Sequence, residues 1–171
     1  MGTTLRTMAE QFEITDEMRA QIGKEGDPWT YEVTTTGVRA FARGVGYTDT
    51  TYYDIGDANA KGLDALPAPP CYLGFPIFIP GRSDATFSGP RGGGGGVSHN
   101  LPGLLDGGTE TNYERPIKAG DVLEGRSALT NLETKTSPSL GVMLLTTQET
   151  TYRDKATGAV VARQRAQAIF Y

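Results

Sequence analysis

From Val122 to Tyr171 the chain carries three long stretches of β-forming residues, rich in threonine and valine, with turn residues at regular intervals between them. Strands are expected at about Val122–Thr134, Val142–Tyr152 and Ala159–Tyr171, joined through Ser-Pro-Ser-Leu-Gly and Arg-Asp-Lys-Ala-Thr-Gly. Those connections have the residues of hairpin turns, so the last third reads as an antiparallel meander. In its final strand Ala162, Gln164, Ala166, Ala168 and Phe170 alternate with Val161, Arg163, Arg165, Gln167 and Ile169. A face of small residues is what a sheet needs if a helix is to lie close upon it.

One clear candidate for that helix precedes the meander, at Gly37–Gly46. Val38, Phe41, Ala42 and Val45 fall at i, i+3, i+4 and i+7 and share one face, with Arg39 and Arg43 on another. Thr35 or Thr36 is placed to cap this helix, and Gly44 and Gly46 to end it. A shorter helix, Asp16–Ile22, is expected after Thr15 and before Gly23, and Trp29–Val33 reads as a strand. Several strands following one buried helix give an α+β fold in which an antiparallel sheet wraps the helix. The 171 residues suit one domain, and 37% hydrophobic with 21% charged residues fits a globular one. Glycine and proline crowd into residues 67–108, which are therefore expected to form a loop-rich overhang.

Composition narrows the function classes. Twenty acidic against sixteen basic side chains leave a net charge of −4. That balance argues against a nucleic-acid binder and against a surface that seeks anionic lipid. Cys71 is the sole cysteine, which excludes an internal disulfide and a cysteine-based metal cluster. No apolar run of signal-peptide length opens the sequence, and the most apolar stretch, Cys71–Pro80, is too short to cross a bilayer. A cytoplasmic location away from membranes is the expectation.

Several motifs fail on inspection. The run Gly92–Gly96 ends in Val97-Ser98 where a phosphate loop needs Gly-Lys-Ser/Thr, and reads as a flexible loop. Asp57, Asn59 and Gly62 match three positions of a calcium loop, but Lys61 and Ala68 stand where ligands are required. A polar capped turn without metal is the expectation there. Gly96-Val97-Ser98-His99-Asn100 lacks the closing glycine of a nucleophile elbow. His99 is the sole histidine, so any histidine-dependent step within one chain must use it. Its polar surroundings otherwise suggest a solvated side chain. Cys71, after two prolines, reads as a small buried hydrophobe.

Three segments in order resemble the MaoC-like hydratase/dehydratase superfamily, in its N-terminal, FAS1-like dehydratase branch. They are Tyr31–Asp54, the Ala68-Pro69-Pro70-Cys71 segment, and Leu104–Ser127 with its Gly-Gly, Tyr-x-Arg-Pro and Ala-Gly-Asp run. The resemblance implies a single hot-dog domain over residues 1–171, acyl-thioester substrates and assembly through paired hot dogs. Active members carry Gly-Asp-x-Asn-Pro-x-His-x-Asp after the helix, whose Asp and His move protons during addition of water to an enoyl thioester. The aligned stretch here is Gly46-Tyr47-Thr48-Asp49-Thr50-Thr51-Tyr52-Tyr53-Asp54. Tyr47 occupies the Asp position and Tyr52 the His position, so no catalytic residue is assigned to this chain. A phenol of pKa near 10 is a poor base at neutral pH.

What the resemblance then implies is a subunit of a heteromeric enoyl-CoA hydratase or 3-hydroxyacyl thioester dehydratase, its partner supplying the dyad. Asp49, Tyr52, Asp54, His99, Gly107 and Gly108 are the candidate substrate-binding residues. No cofactor is expected, only acyl-CoA or acyl-pantetheine as substrate. Tyr72, Leu73, Phe75, Ile77, Phe78, Ile79 and Phe87 could line an acyl tunnel or serve as ordinary core. Two alternatives stay open. One is a self-sufficient homodimeric hydratase or thioesterase using His99 with Asp49 or Asp54. The other is a non-enzymatic acyl-thioester-binding module.

Overall fold

A computed structural model describes residues 12–74 and 97–171. The meander appears as read, with β3 (Val122–Ser137), β4 (Gly141–Asp154) and β5 (Val160–Phe170) joined by tight turns. The β4–β5 turn closes because Asp154 accepts the backbone N–H groups of Ala156 and Thr157 at 3.0 and 2.9 Å. Such a turn built on an aspartate is favoured by its short acceptor side chain. β1 (Trp29–Glu32) adds beside β3, and β2 (Leu104–Tyr113) beside β5. All pairs are antiparallel, and the sheet order is β1-β3-β4-β5-β2.

β2 corrects the expectation of a loop through residue 108. Its first residues, Leu104 to Gly108, form strand because β5 offers an edge to pair with, whatever the glycines prefer alone. The register slips between Asp106 and Gly108, making Gly107 the extra residue of a bulge. A second bulge leaves Val161 without a partner, since Tyr152 faces Ala162 and Arg153 faces Val160. Simple alternation therefore fails at the start of β5, and Val161 and Ala162 are both buried.

Among the described residues three helices precede the long strands: α1 (Asp16–Arg19), α2 (Thr35–Gly44) and α3 (Ile55–Ala60). α1 is capped by Thr15 as expected, but its last turn is not helical and Gly23 donates instead to Leu129 of β3 at 2.8 Å. α2 begins two residues earlier than the sequence suggests. Thr34, not Thr35 or Thr36, caps it by accepting the Gly37 N–H at 3.0 Å. Val38 and Ala42 of α2 are fully buried and Phe41 packs beside them, whereas Val45 lies past the helix and is 49% exposed.

The core has two parts. An aromatic cluster gathers Trp29, Tyr31, Val38, Tyr72, Leu123 and Tyr152, with rings meeting edge to face at 6.0 to 6.3 Å for Tyr31 with Tyr72, Tyr31 with Tyr152, and Trp29 with Tyr152. Edge-to-face contact is the arrangement that ring quadrupoles favour. Gly125 lets the Trp29 ring lie on the β3 backbone, where a Cβ would stand 2.6 Å from the ring. The aliphatic cluster holds Met18, Leu101, Leu129, Leu132 and Leu144. Tyr72 and Leu73 are thus core, and the other proposed tunnel residues, with Gly92–Gly96, lie outside the described residues.

Candidate functional site

The loop that follows α2 is shaped by how the helix stops. Gly46 adopts φ +81°, a left-handed conformation open to glycine, while its N–H reaches Arg43 O and the Tyr47 N–H reaches Ala42 O. These paired bonds satisfy the last helical carbonyls and turn the chain sharply. Tyr47 then stacks on Tyr52, ring centroids 5.2 Å apart and planes 17° from parallel. The Tyr53 hydroxyl donates to the Tyr47 carbonyl at 2.6 Å, and Arg39 Nε donates to the Tyr53 carbonyl at 2.8 Å.

Both carboxylates of this loop act as caps. Asp49 caps a 3-10 turn, Thr50–Tyr52, by accepting the Thr51 N–H at 2.9 Å and the Thr51 hydroxyl at 2.6 Å. Lys61 Nζ donates to the same carboxylate at 2.9 Å and also to the Thr51 hydroxyl. Asp54 caps α3, accepting the N–H groups of Gly56 and Asp57 at 2.7 and 3.1 Å. The pattern Asp57–Asn59–Gly62 is therefore helix and helix end, and its lysine is an ion-pair partner of Asp49.

The electrostatics follow from these contacts. Hydrogen bonds from Thr51, with Lys61 beside them, hold the Asp49 carboxyl well below the usual carboxylate range. Burial, then the neighbouring Tyr47 and Asp49, push the Tyr52 phenol above its ordinary value. The two carboxylates are already hydrogen-bonded to the turns they cap. The arrangement can offer an aromatic surface and fixed dipoles.

A second constellation braces the scaffold beside this loop. Arg115 grips Asp121 with two bonds, at 2.7 and 3.1 Å, and reaches Asp154 at 3.1 Å. Asp121 also accepts the Lys118 N–H at 3.0 Å, and its side chain is only 7% exposed. The bidentate fit of guanidinium to carboxylate fixes the turn that feeds β3. The Ala-Pro-Pro segment is tied to the same turn: Ala68 N–H donates to Ile117 O at 2.7 Å, and the Tyr113 hydroxyl donates to Pro70 O. Burial pushes the Tyr113 phenol up to about 12. Cys71 is exposed, contrary to the sequence reading, because Pro69, not the thiol, fills the core there.

The model of the FAS1-like, dehydratase domain region matches residues 20–164. The chain belongs to that family. No curated protein matches it. Among solved structures, the ChsH1-ChsH2 complex from Mycobacterium tuberculosis is similar over 99% of this chain and 92% of that one, at 15% identity and a TM-score of 0.67. A MaoC-like dehydratase is similar over 90% of this chain and 43% of that one, at 22% identity and a TM-score of 0.68. A C-terminally truncated HadBC (3R-hydroxyacyl-ACP dehydratase) complex from Mycobacterium tuberculosis covers 84% of this chain and 95% of its own, at 17% identity and a TM-score of 0.57. These likenesses show the fold: the chain is a hot dog, α+β, with its antiparallel sheet of five strands.

Within this FAS1-like dehydratase domain the proposed site residues fall into three places. Asp49, Tyr52 and Asp54 share the loop after α2, with Tyr47. Gly107 and Gly108 sit on β2 opposite Gln167 of β5, and the Gly108 N–H donates to Asp106 Oδ1 at 2.8 Å. His99 joins neither group. Its ring lies against Phe170, centroids 4.1 Å apart, at the aliphatic end of the core, so it is half-buried and not the solvated side chain expected. The Lys61 contact and the Arg115–Asp121–Asp154 bridge were not singled out from sequence. The six-residue interval from Arg115 to Asp121, inside the family's third segment, was the available signal. Among the described residues no helix is long and apolar enough to cross a membrane.

Proposed function

We propose that this chain is the non-catalytic subunit of a heteromeric enoyl-CoA hydratase or 3-hydroxyacyl thioester dehydratase. It shapes part of the acyl-thioester tunnel, while a second hot-dog chain supplies the Asp/His dyad. The substrate is acyl-CoA or acyl-pantetheine, no cofactor takes part, and the complex works in the cytoplasm.

One observation carries the reading: two stacked phenols stand where the family's Asp and His belong. Water addition needs one group to take a proton and another to steer or return it. The Tyr52 phenol is pushed above its ordinary value, and the nearby carboxylates cap helical turns. An edge strand supports the partner. β2 is ten residues long, lies at the end of the sheet, and leaves Leu104 63% exposed beside the also exposed Leu105. An open edge of that length invites another chain to pair with it.

The test is hydration of crotonyl-CoA and longer enoyl-CoA esters by the purified chain, alone and co-purified with a hot-dog protein carrying an intact Asp-x-x-x-x-His spacing. The chain alone is expected to be inert and the complex active. Full activity of the chain alone, abolished by His99→Ala, overturns the proposal. Acyl-CoA binding with no turnover in either setting overturns it in favour of a binding module.

A further inference from the structure

Asp106 is the one aspartate in the sequence that is followed by glycine, and no asparagine precedes one. In such a dipeptide no side chain on the second residue shields its nitrogen from the aspartate carboxyl. Thr50 after Asp49 and Ile55 after Asp54 are, by contrast, branched at Cβ and crowd that approach. Regular strand pairing holds an aspartate and its successor apart in an extended backbone. Here the pairing is broken at this very place. Asp106 faces Ala168 and Gly108 faces Gln167, so Gly107 has no partner on β5. All three residues are exposed, and β2 lies at the end of the sheet. Gly108 has φ +103°, a value that takes the chain out of the extended form. The Asp106 side chain turns along the chain instead of away from it. Its Oδ1 accepts the Gly108 N–H at 2.8 Å, which closes a ring around the Gly107 peptide.

We propose that the bulge at Asp106-Gly107 is a site of spontaneous backbone modification, where aspartate converts to isoaspartate through a succinimide. The Gly107 nitrogen attacks Cγ of the neutral Asp106 carboxyl. A C–N bond forms, the bond from Cγ to the hydroxyl breaks, and one water leaves, made of that hydroxyl and the Gly107 amide proton. Neither oxidant nor reductant enters. The Gly108 N–H assists, because it is aimed at Oδ1, where negative charge develops as the nitrogen adds. Water then opens the ring. Opening at Cγ restores aspartate. Opening at the main-chain carbonyl routes the chain through Cβ and Cγ and leaves a free α-carboxylate. The product keeps mass and charge but has one more carbon in its backbone. Strands meet residue by residue, so that extra atom shifts Leu104–Asp106 against the rest of β2 and against β5. The reaction does not depend on the partner-subunit reading.

The experiment incubates the full, folded chain at physiological temperature and neutral pH. Isoaspartate is counted at intervals by an isoaspartyl methyltransferase with labelled S-adenosylmethionine, and located by electron-transfer fragmentation of the digested chain. Residue 106 is expected to convert at least roughly tenfold faster than Asp49 or Asp54, a difference of about 1.4 kcal/mol in the barrier. Its rate is also expected to lie within roughly tenfold of that in a synthetic peptide covering residues 104–113. Asp106→Glu needs a larger ring and is expected to lose the signal from that peptide while keeping the fold of an exposed strand. Conversion no faster than at Asp49 and Asp54 overturns the proposal. A folded chain more than roughly tenfold slower than the peptide overturns it too, since β2 then protects the pair. So does a signal that persists in Asp106→Glu. The two wild-type rates decide the matter even where the variant does not fold.

Discussion

The loop from Tyr47 to Lys61 and the turn from Arg115 to Asp121 each hold an aspartate beside a cation, in opposite settings. Asp49 is 52% exposed and pairs with a lysine of similar exposure across a helical turn. Asp121 is almost wholly buried, gripped by both arms of Arg115, which also reaches Asp154. Exposed pairs contribute little to stability because water competes for both partners. A buried carboxylate held by several bonds is costly to disturb, since whatever is left behind is unpaired. The segment that gives the family its shape is thus fixed from within. The loop after α2 is held by contacts that lie near the surface.

The sharpest way to break this comparison is to remove the buried partner. Asp121→Ala is expected to lower the unfolding free energy by about 2 kcal/mol, because it leaves the Lys118 N–H without its acceptor and Arg115 with Asp154 as its one carboxylate partner. Urea unfolding measures the effect, and a change below about 1 kcal/mol would show that the brace is dispensable.

Asp49→Asn is expected to lower the melting temperature less, and in a pH-dependent way. The folded carboxyl is held below its ordinary value, first by Thr51 and then by Lys61. Its stabilisation is therefore complete above the unfolded value of about 4 and fades as pH falls toward the folded value. Melting curves of both proteins from pH 7 down to pH 2 should converge at the acid end, and a constant gap would contradict the assignment.

The smallest effect is expected from the two rings. In the complex proposed above, Tyr47→Phe combined with Tyr52→Phe should change kcat for enoyl-CoA hydration by no more than about twofold. Loss of a true general acid or base costs roughly 10²- to 10⁴-fold. A drop in that range would place proton transfer in this chain after all.

The meander was legible because its signals are local: alternating β-formers and hairpin turns state both the strands and their order. α2 was legible for the same reason, through the spacing of Val38, Phe41 and Ala42. β2 was not, since Leu104–Tyr113 becomes strand only when β5 is beside it, and its glycines read alone as loop. That Tyr47 and Tyr52 stack on one another could not be read from the sequence. Nor could the sequence foresee that Asp49 and Asp54 cap the turns around those rings. That result depends on Lys61 returning from the end of α3 and on α3 starting one residue after Asp54. His99 misled because a polar loop sequence does not reveal that Phe170, seventy-one positions later, lies against the ring.

The extra residue at Gly107 has a consequence for whatever joins the sheet at its open side. A plain strand can be matched by a neighbour shifted two residues at a time, because each such shift restores the same alternation of faces. Here the rhythm of donors and acceptors is interrupted once, between Asp106 and Gly108, so a newcomer sliding along Leu104–Tyr113 meets a notch at one place only. That notch works as an alignment key: it lets the strand be extended while admitting a single offset.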